Sequence, residues 1–416
     1  MEKLKRRGWG LVGGWGTAVL LFYFWLRQVW QIEAANRWLL LTLPPLLYCL
    51  WVVGRHLGEN RRAGETTVLP TFGWGNRLTL LRGLAISMVA GFLFSPWPAG
   101  WLAWLPMLLY TAADIADYLD GYLARITNHA TKLGERLDME YDGLGMLIVT
   151  LLAVWYGQLP GWYLILGLAR YLFVFGLWLR ARRGLPSYDL HPSVHRRVFA
   201  GFQMGFMSAV LWPIVPSEGA TIAGTLFAIP TALGFLRDWF LVTGRWDAQD
   251  VRYQRIQQFL YQTSTRWLPP LFRLTLASCV SAIFLALPAA WPPPAWVDLF
   301  MSWGLPLPAL LAIVSVVLLL LGGLLVLLGA MGRLAAFWLV FPLGFDMVTG
   351  GLDWANGVGL VTAVCLMLLG TGPLSRWKPE ERFLLRRAGE AQPAFDRSDN
   401  TEHLPITTEE SKVLSK

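Results

Sequence analysis

Apolar runs of about 20 residues, each long enough to cross a bilayer core as a helix, recur along the chain between short polar stretches. They fall near 8–29, 37–54, 77–95, 101–119, 140–158, 161–180, 197–215, 219–241, 271–290, 306–329, 334–350 and 356–372, so the pattern predicts about 12 transmembrane helices. The polar stretches divide them into an N-terminal two-helix hairpin (1–64), a six-helix core (65–243), a cytoplasmic linker (244–270), four more membrane helices (271–373) and a disordered cytoplasmic tail (374–416). The expected fold is an all-α polytopic membrane protein.

The cations orient this arrangement. Lys3, Lys5, Arg6 and Arg7, then Arg55, Arg61 and Arg62, then Arg125, Lys132 and Arg136, then Arg180, Arg182, Arg183, Arg196 and Arg197, then Arg245, Arg252 and Arg255 all fall in loops on one side. The alternate loops around SPWPAG, GQLPG, PSEG, WPPPAW and GGLDWAN carry no Lys or Arg, and only Arg27 and Arg37 break the pattern. Positive charge marks the cytoplasmic side, so both termini are expected there, in a cell inner membrane. The first run reads as an uncleaved helix, because Arg27 closes a long span and no small-residue cleavage site follows cleanly.

Composition narrows the function classes. A chain of 416 residues that is 55% hydrophobic, 15% charged and contains 23 Trp is no ordinary soluble domain. Its net charge of +8 comes from clusters between apolar runs, where lipid headgroups and membrane orientation account for it, so no nucleic-acid partner is expected. Cys49, Cys279 and Cys365 each sit inside an apolar run without paired spacing, as small buried hydrophobes do.

Against that background the segment DYLDGYLARITNHATKLGERLDMEYD, residues 117–142, stands out. Asp117 and Asp120 are three apart and Asp138 and Asp142 four apart, which puts each pair on one face of its own helix. The stretch between them, with Asn128 and Gly134, is expected to turn the chain so that the pairs meet. Four carboxylates brought together repel one another unless a cation compensates them, and an oxygen-only ligand set favours Mg2+ or Mn2+ over zinc. His129 reads as a loop residue rather than a ligand.

The full spacing is D-x-x-D-G-x-x-A-R, eight residues, then G-x-x-x-D-x-x-x-D. It resembles the signature of the CDP-alcohol phosphotransferase family, and the helix beginning GNRLTLLRG is similar to that family's Asn-x-x-Thr-x-x-Arg element, with Asn76, Thr79 and Arg82 on one face. The resemblance implies a membrane phospholipid synthase that moves a substituted phosphate group from CDP-diacylglycerol, or a similar CDP-lipid, to an alcohol with release of CMP. It also implies two metal ions bound by Asp117, Asp120, Asp138 and Asp142, with Asp142 as general base, and a cytidine diphosphate site at Gly121, Ala124, Arg125 and Gly134. Membrane lipids and a second copy of the chain are among the expected partners.

The acceptor is less constrained. LDMEYDGLG departs from the DPVADK wording of phosphatidylglycerophosphate synthases, which leaves glycerol phosphate, inositol phosphate, serine and a second lipid open. Arg170 lies midway along an apolar span, where a charge needs a partner or a watery cavity. It is a candidate for binding acceptor phosphate together with Arg196, Arg197, Asn76 and Thr79; an ion pair with Asp114 is the alternative for Arg170. Residues 271–373 resemble a DoxX-type four-helix membrane domain. A divalent-cation transporter and a catalytically silent assembly protein are the competing classes. The boundary position of the aspartates disfavours the transporter, and the intact signature disfavours the silent protein.

Overall fold

A chain in lipid must satisfy its backbone polar groups internally. In the computed structural model it does so with helices alone: no named strand occurs among the described residues, which are 2–188, 194–247 and 249–377, with the side chains of 194–199 left aside. The expected disorder of the tail therefore lies, from residue 378 on, outside the described residues. So do the side chains of Arg196 and Arg197.

Helices α1 (Glu2–Val29) and α2 (Ile32–His56) form the first hairpin, and α3 (Gly73–Ala90), α4 (Leu105–Ile126), α5 (Lys132–Trp155), α6 (Leu164–Arg182), α7 (Val194–Val210) and α8 (Ser217–Val242) follow. Then come α9 (Val251–Gln262), α10 (Leu268–Ala286), α11 (Pro294–Ser302), α12 (Pro308–Leu328), α13 (Gly332–Gly350) and α14 (Trp354–Leu369). The expected spans each find a helix within a few residues. Two differences concern the linker and the turn after α10. Residues 251–262 are helical and run through a π-turn, Thr263–Trp267, directly into α10. A short unforeseen helix, α11, follows the WPPP stretch, where Pro at its first turn leaves no orphan N–H.

Seven helices among the described residues are long and apolar enough to cross a membrane, so the protein is multi-pass, but a count of twelve is not reached. The helices that fall short include the site-bearing ones. Asp114, Asp117, Asp120 and Arg125 lower the hydropathy of α4, and Lys132, Glu135, Arg136, Asp138, Glu140 and Asp142 that of α5. Chemistry displaces apolar residues from these helices: Asp120 is buried, Asp114, Asp117, Asp138, Glu140 and Asp142 are half-buried, and Arg125, Lys132, Glu135 and Arg136 are exposed.

Helix α3 lies at the centre of the core, and small residues set its distance from its neighbours. A Cβ added at Gly75 would stand 2.8 Å from both the Ala124 methyl and the Asp120 carbonyl oxygen on α4, and one at Gly83 would meet the Tyr141 ring on α5 at 2.6 Å. Trp38 of α2, fully buried, donates its indole N–H to the Met88 carbonyl at 3.0 Å and so fastens the hairpin to α3. Arg37, an exception to the charge pattern, donates to the carbonyl of Phe94 at the end of the α3 region.

The last helices have a core of their own, with Leu276, Val280, Val316, Leu319, Leu339 and Leu366 buried together. They are not set apart from the first core. Met347, Leu360, Val364 and Leu368 of α13 and α14 pack into the cluster that holds α3 and α5, and Gly219 of α8 approaches Met347 and Leu360.

Candidate metal and substrate site

The turn between the two aspartate helices is built by local capping. Thr127 and Asn128 close α4, Asn128 at φ +49°, a left-handed value that Asn tolerates better than most residues. Thr131 then caps α5, its hydroxyl accepting from the Gly134 N–H at 3.1 Å. Gly134 thus sits in the first turn of α5 rather than in the connection. Its missing side chain makes room for Asn76, whose amide oxygen a Cβ there would meet at 2.3 Å.

Asn76, 2% exposed, uses its amide N–H groups on Asn60 Oδ1 at 3.1 Å and Thr131 Oγ1 at 2.9 Å, tying α3 to the start of α5. Three residues on, Thr79 donates to Asp120 Oδ2 at 2.7 Å. A further three residues on, Arg82 reaches all four aspartates. Its Nη1 bonds Asp117 and, at 2.9 Å, Asp138 and lies 3.8 Å from Asp120, while its Nη2 bonds Asp142. Asn76, Thr79 and Arg82 do share one face of α3, as their spacing predicts. That face holds the aspartate site, and neither Asn76 nor Thr79 lines the large cavity described below.

One oxygen each from Asp117, Asp120 and Asp138 lies within 4.8 Å of the others. The donors are carboxylates only. His129 is committed elsewhere, its Nε2 2.9 Å from the Thr71 carbonyl and its ring against Gly73. Four carboxylates around one guanidinium leave three negative charges uncompensated, so the residues fit a hard divalent cation. The central place of Arg82 was the feature least visible beforehand, since an arginine three residues after Thr79 reads equally well as a helix anchor.

The residues expected to face cytidine diphosphate are on α4 and in the first turn of α5. Gly121 is open, with only Arg125 Nη1 near the position of an added Cβ, and Ala124 is the small contact at the crossing with Gly75. Arg125 is in the last turn of α4.

A cavity of about 1830 Å³ reaches the cluster at Asp142. Of the four aspartates only Asp142 lines it, and Arg170 lies beside Asp142, its side chain filling the space that Gly143 leaves. Arg170 is 3.6 Å from Glu140 of α5. Asp114, the partner considered from the sequence, instead accepts from Ser208 Oγ at 3.0 Å. Spacing along the chain identifies that a membrane arginine needs a partner but not which neighbouring helix supplies it.

Residues 73–246 match the family model described as CDP-alcohol phosphatidyltransferase. A protein of Cereibacter sphaeroides named CDP-diacylglycerol--glycerol-3-phosphate 3-phosphatidyltransferase is 34% identical over 105 residues, which are 24% of this chain and 47% of that one. Proteins of Mycobacterium bovis and Mycobacterium tuberculosis named "Putative cardiolipin synthase" are 28% identical over 141 residues, 33% of this chain and 63% of theirs. The chain thus spans about half to two thirds of the length of these relatives. No solved structure matches.

Proposed function

We propose, from the premise that residues 73–246 are a CDP-alcohol phosphatidyltransferase domain, that the protein is a membrane phospholipid synthase. It transfers a phosphatidyl group from CDP-diacylglycerol to an alcohol and releases CMP. The observation that carries this reading is the convergence of Asp117, Asp120, Asp138 and Asp142 from two helices on one point, with a single buried cation among them.

Asp117, Asp120, Asp138 and Asp142 would hold the metal, and Mg2+ or Mn2+ bound there, two ions by the family resemblance, would supply charge neutralisation for the diphosphate and the departing CMP. Thr79 fixes the orientation of the Asp120 carboxylate. Gly121 lets the nucleotide approach the helix backbone and Arg125 bounds its site, while Ala124 and Gly134 act through the close packing of α4 and α5 on α3. Asp142, the aspartate that faces the cavity, accepts the proton of the acceptor hydroxyl. The hydroxyl oxygen forms its bond to the phosphatidyl phosphorus as the bond from that phosphorus to the CMP oxygen breaks, and CMP leaves with the electron pair. Arg170 provides positive charge on the acceptor side. The loops that carry the cations, the site and both termini face the cytoplasm of an inner membrane, and a second copy of the chain is a candidate partner.

The test is CMP release from CDP-diacylglycerol by purified protein in the presence of total bacterial lipid and a panel of soluble alcohols. Release should require Mg2+ or Mn2+, and undiminished release in excess EDTA would overturn the metal assignment.

A further inference from the structure

The large cavity is not a feature of residues 73–246 alone. Its lining continues beyond the family match through α9 and the π-turn, from Asp247 to Arg266, and on to Arg333 of α13 and to Leu368–Pro373 at the end of α14. Arg333 joins the two halves there, donating to the Met367 carbonyl at 2.6 Å while its guanidinium lies 5.5 Å from the Phe202 ring of α7.

Three observations define what such a chamber holds. First, it touches the site only at Asp142; Gly121, Ala124, Arg125 and Gly134 do not line it, so it lies on the acceptor side rather than the nucleotide side. Second, at about 1830 Å³ it is well beyond the roughly 300–1,000 Å³ that encloses a small-molecule ligand, and a small polar alcohol would leave most of it to water. Third, its walls are amphipathic. Ile256, Leu260 and Leu369 give apolar surface, while arginines outnumber aspartates six to four among the lining residues, with no lysine or glutamate. Apolar walls with excess guanidinium suit an anionic amphiphile, because guanidinium pairs bidentately with phosphate oxygens and an acyl chain gains from leaving water.

We propose that the acceptor is itself a membrane lipid, an anionic glycerophospholipid with a free headgroup hydroxyl, and that α9, the π-turn and the α13–α14 end complete its site. This rests on the transferase reading above. The hydroxyl sits at Asp142, Arg170 faces the adjoining phosphodiester, and the remainder of the lipid lies along α9, with Arg266 at the rim and Leu260 against an acyl chain. Transfer to this acceptor forms a phosphodiester joining two diacylglycerol-bearing units, with the hydroxyl proton on Asp142 and CMP as leaving group.

The experiment uses the full-length protein in detergent micelles with CDP-diacylglycerol and Mg2+. Phosphatidylglycerol, glycerol 3-phosphate, inositol 1-phosphate and serine are compared as acceptors by mass spectrometry of the lipid product. Phosphatidylglycerol should be the acceptor used, with its KM raised about tenfold in Arg266→Gln while the KM for CDP-diacylglycerol is unchanged. Leu260→Gln should reduce the preference for long-chain over dihexanoyl phosphatidylglycerol, a selectivity that a merely structural role for α9 would not move. Turnover with a soluble alcohol but not with phosphatidylglycerol overturns the lipid-acceptor proposal and leaves the transferase reading standing. Use of phosphatidylglycerol with both variants kinetically unchanged overturns the assignment of the wall. Mg2+-dependent CMP release with none of these acceptors nor with total bacterial lipid overturns the transferase reading and this proposal with it.

Discussion

Thr79→Val separates a residue that positions a metal ligand from one that touches the acceptor. The substitution keeps the β-branched shape on α3 and removes one hydroxyl, the donor 2.7 Å from Asp120 Oδ2. Asp120 is only 8% exposed, so water cannot readily replace that bond. A hydrogen bond to a charged group contributes about 1.5–3 kcal/mol, and loss of an outer partner of a metal ligand lowers affinity roughly 10- to 100-fold. The Mg2+ concentration for half-maximal CMP release should therefore rise by about that factor, with the acceptor KM at saturating Mg2+ close to wild type. Thr79→Ser, which restores the donor, should recover most of the loss. Titration of CMP release with Mg2+ at fixed CDP-lipid is the assay. An unchanged Mg2+ midpoint with a raised acceptor KM would refute the reasoning and return Thr79 to the acceptor site.

Asp138→Asn should lower activity and Mg2+ affinity together, whereas Asp142→Asn should reduce kcat strongly with CDP-lipid binding closer to intact, because an amide cannot take up the acceptor's proton; equilibrium CDP-lipid binding beside turnover distinguishes them. Arg82→Gln leaves four carboxylates without their one buried cation, so the folded protein should depend more on metal. Its Tm should be lower than wild type in EDTA and rise further on adding Mg2+, as linkage to a ligand of the native state requires; a wild-type Tm response in differential scanning fluorimetry would count against the central place of Arg82.

Helix positions and the aspartate pairing were legible because both rest on periodicity: apolar length sets a membrane helix, and spacings of three and four set a helical face. The surrounding network was less so. Asn60, in the loop after α2, meets Asn76 only once the chain has folded back. Arg170 meets Glu140 through the way α6 crosses α5, for which nothing local in either segment encodes the choice over Asp114. The helical character of 251–262 was hidden by its charge, since a polar stretch between two membrane segments reads as a linker whether or not its backbone is helical. The cavity wall was hidden for a different reason. It joins residues more than two hundred positions apart in sequence, as Asp142 and Leu369 are, and no short motif carries such a join.

Arg82 also has a consequence for how the molecule is made. Helix α3 precedes α4 and α5 in the chain, so during synthesis the guanidinium is present before any of the four aspartates emerges. Carboxylates are costly to place beside lipid, and less so when a counter-charge waits for them on a helix already threaded. Arg82 is thus in place as a counter-charge before the acidic pair of helices settles against α3.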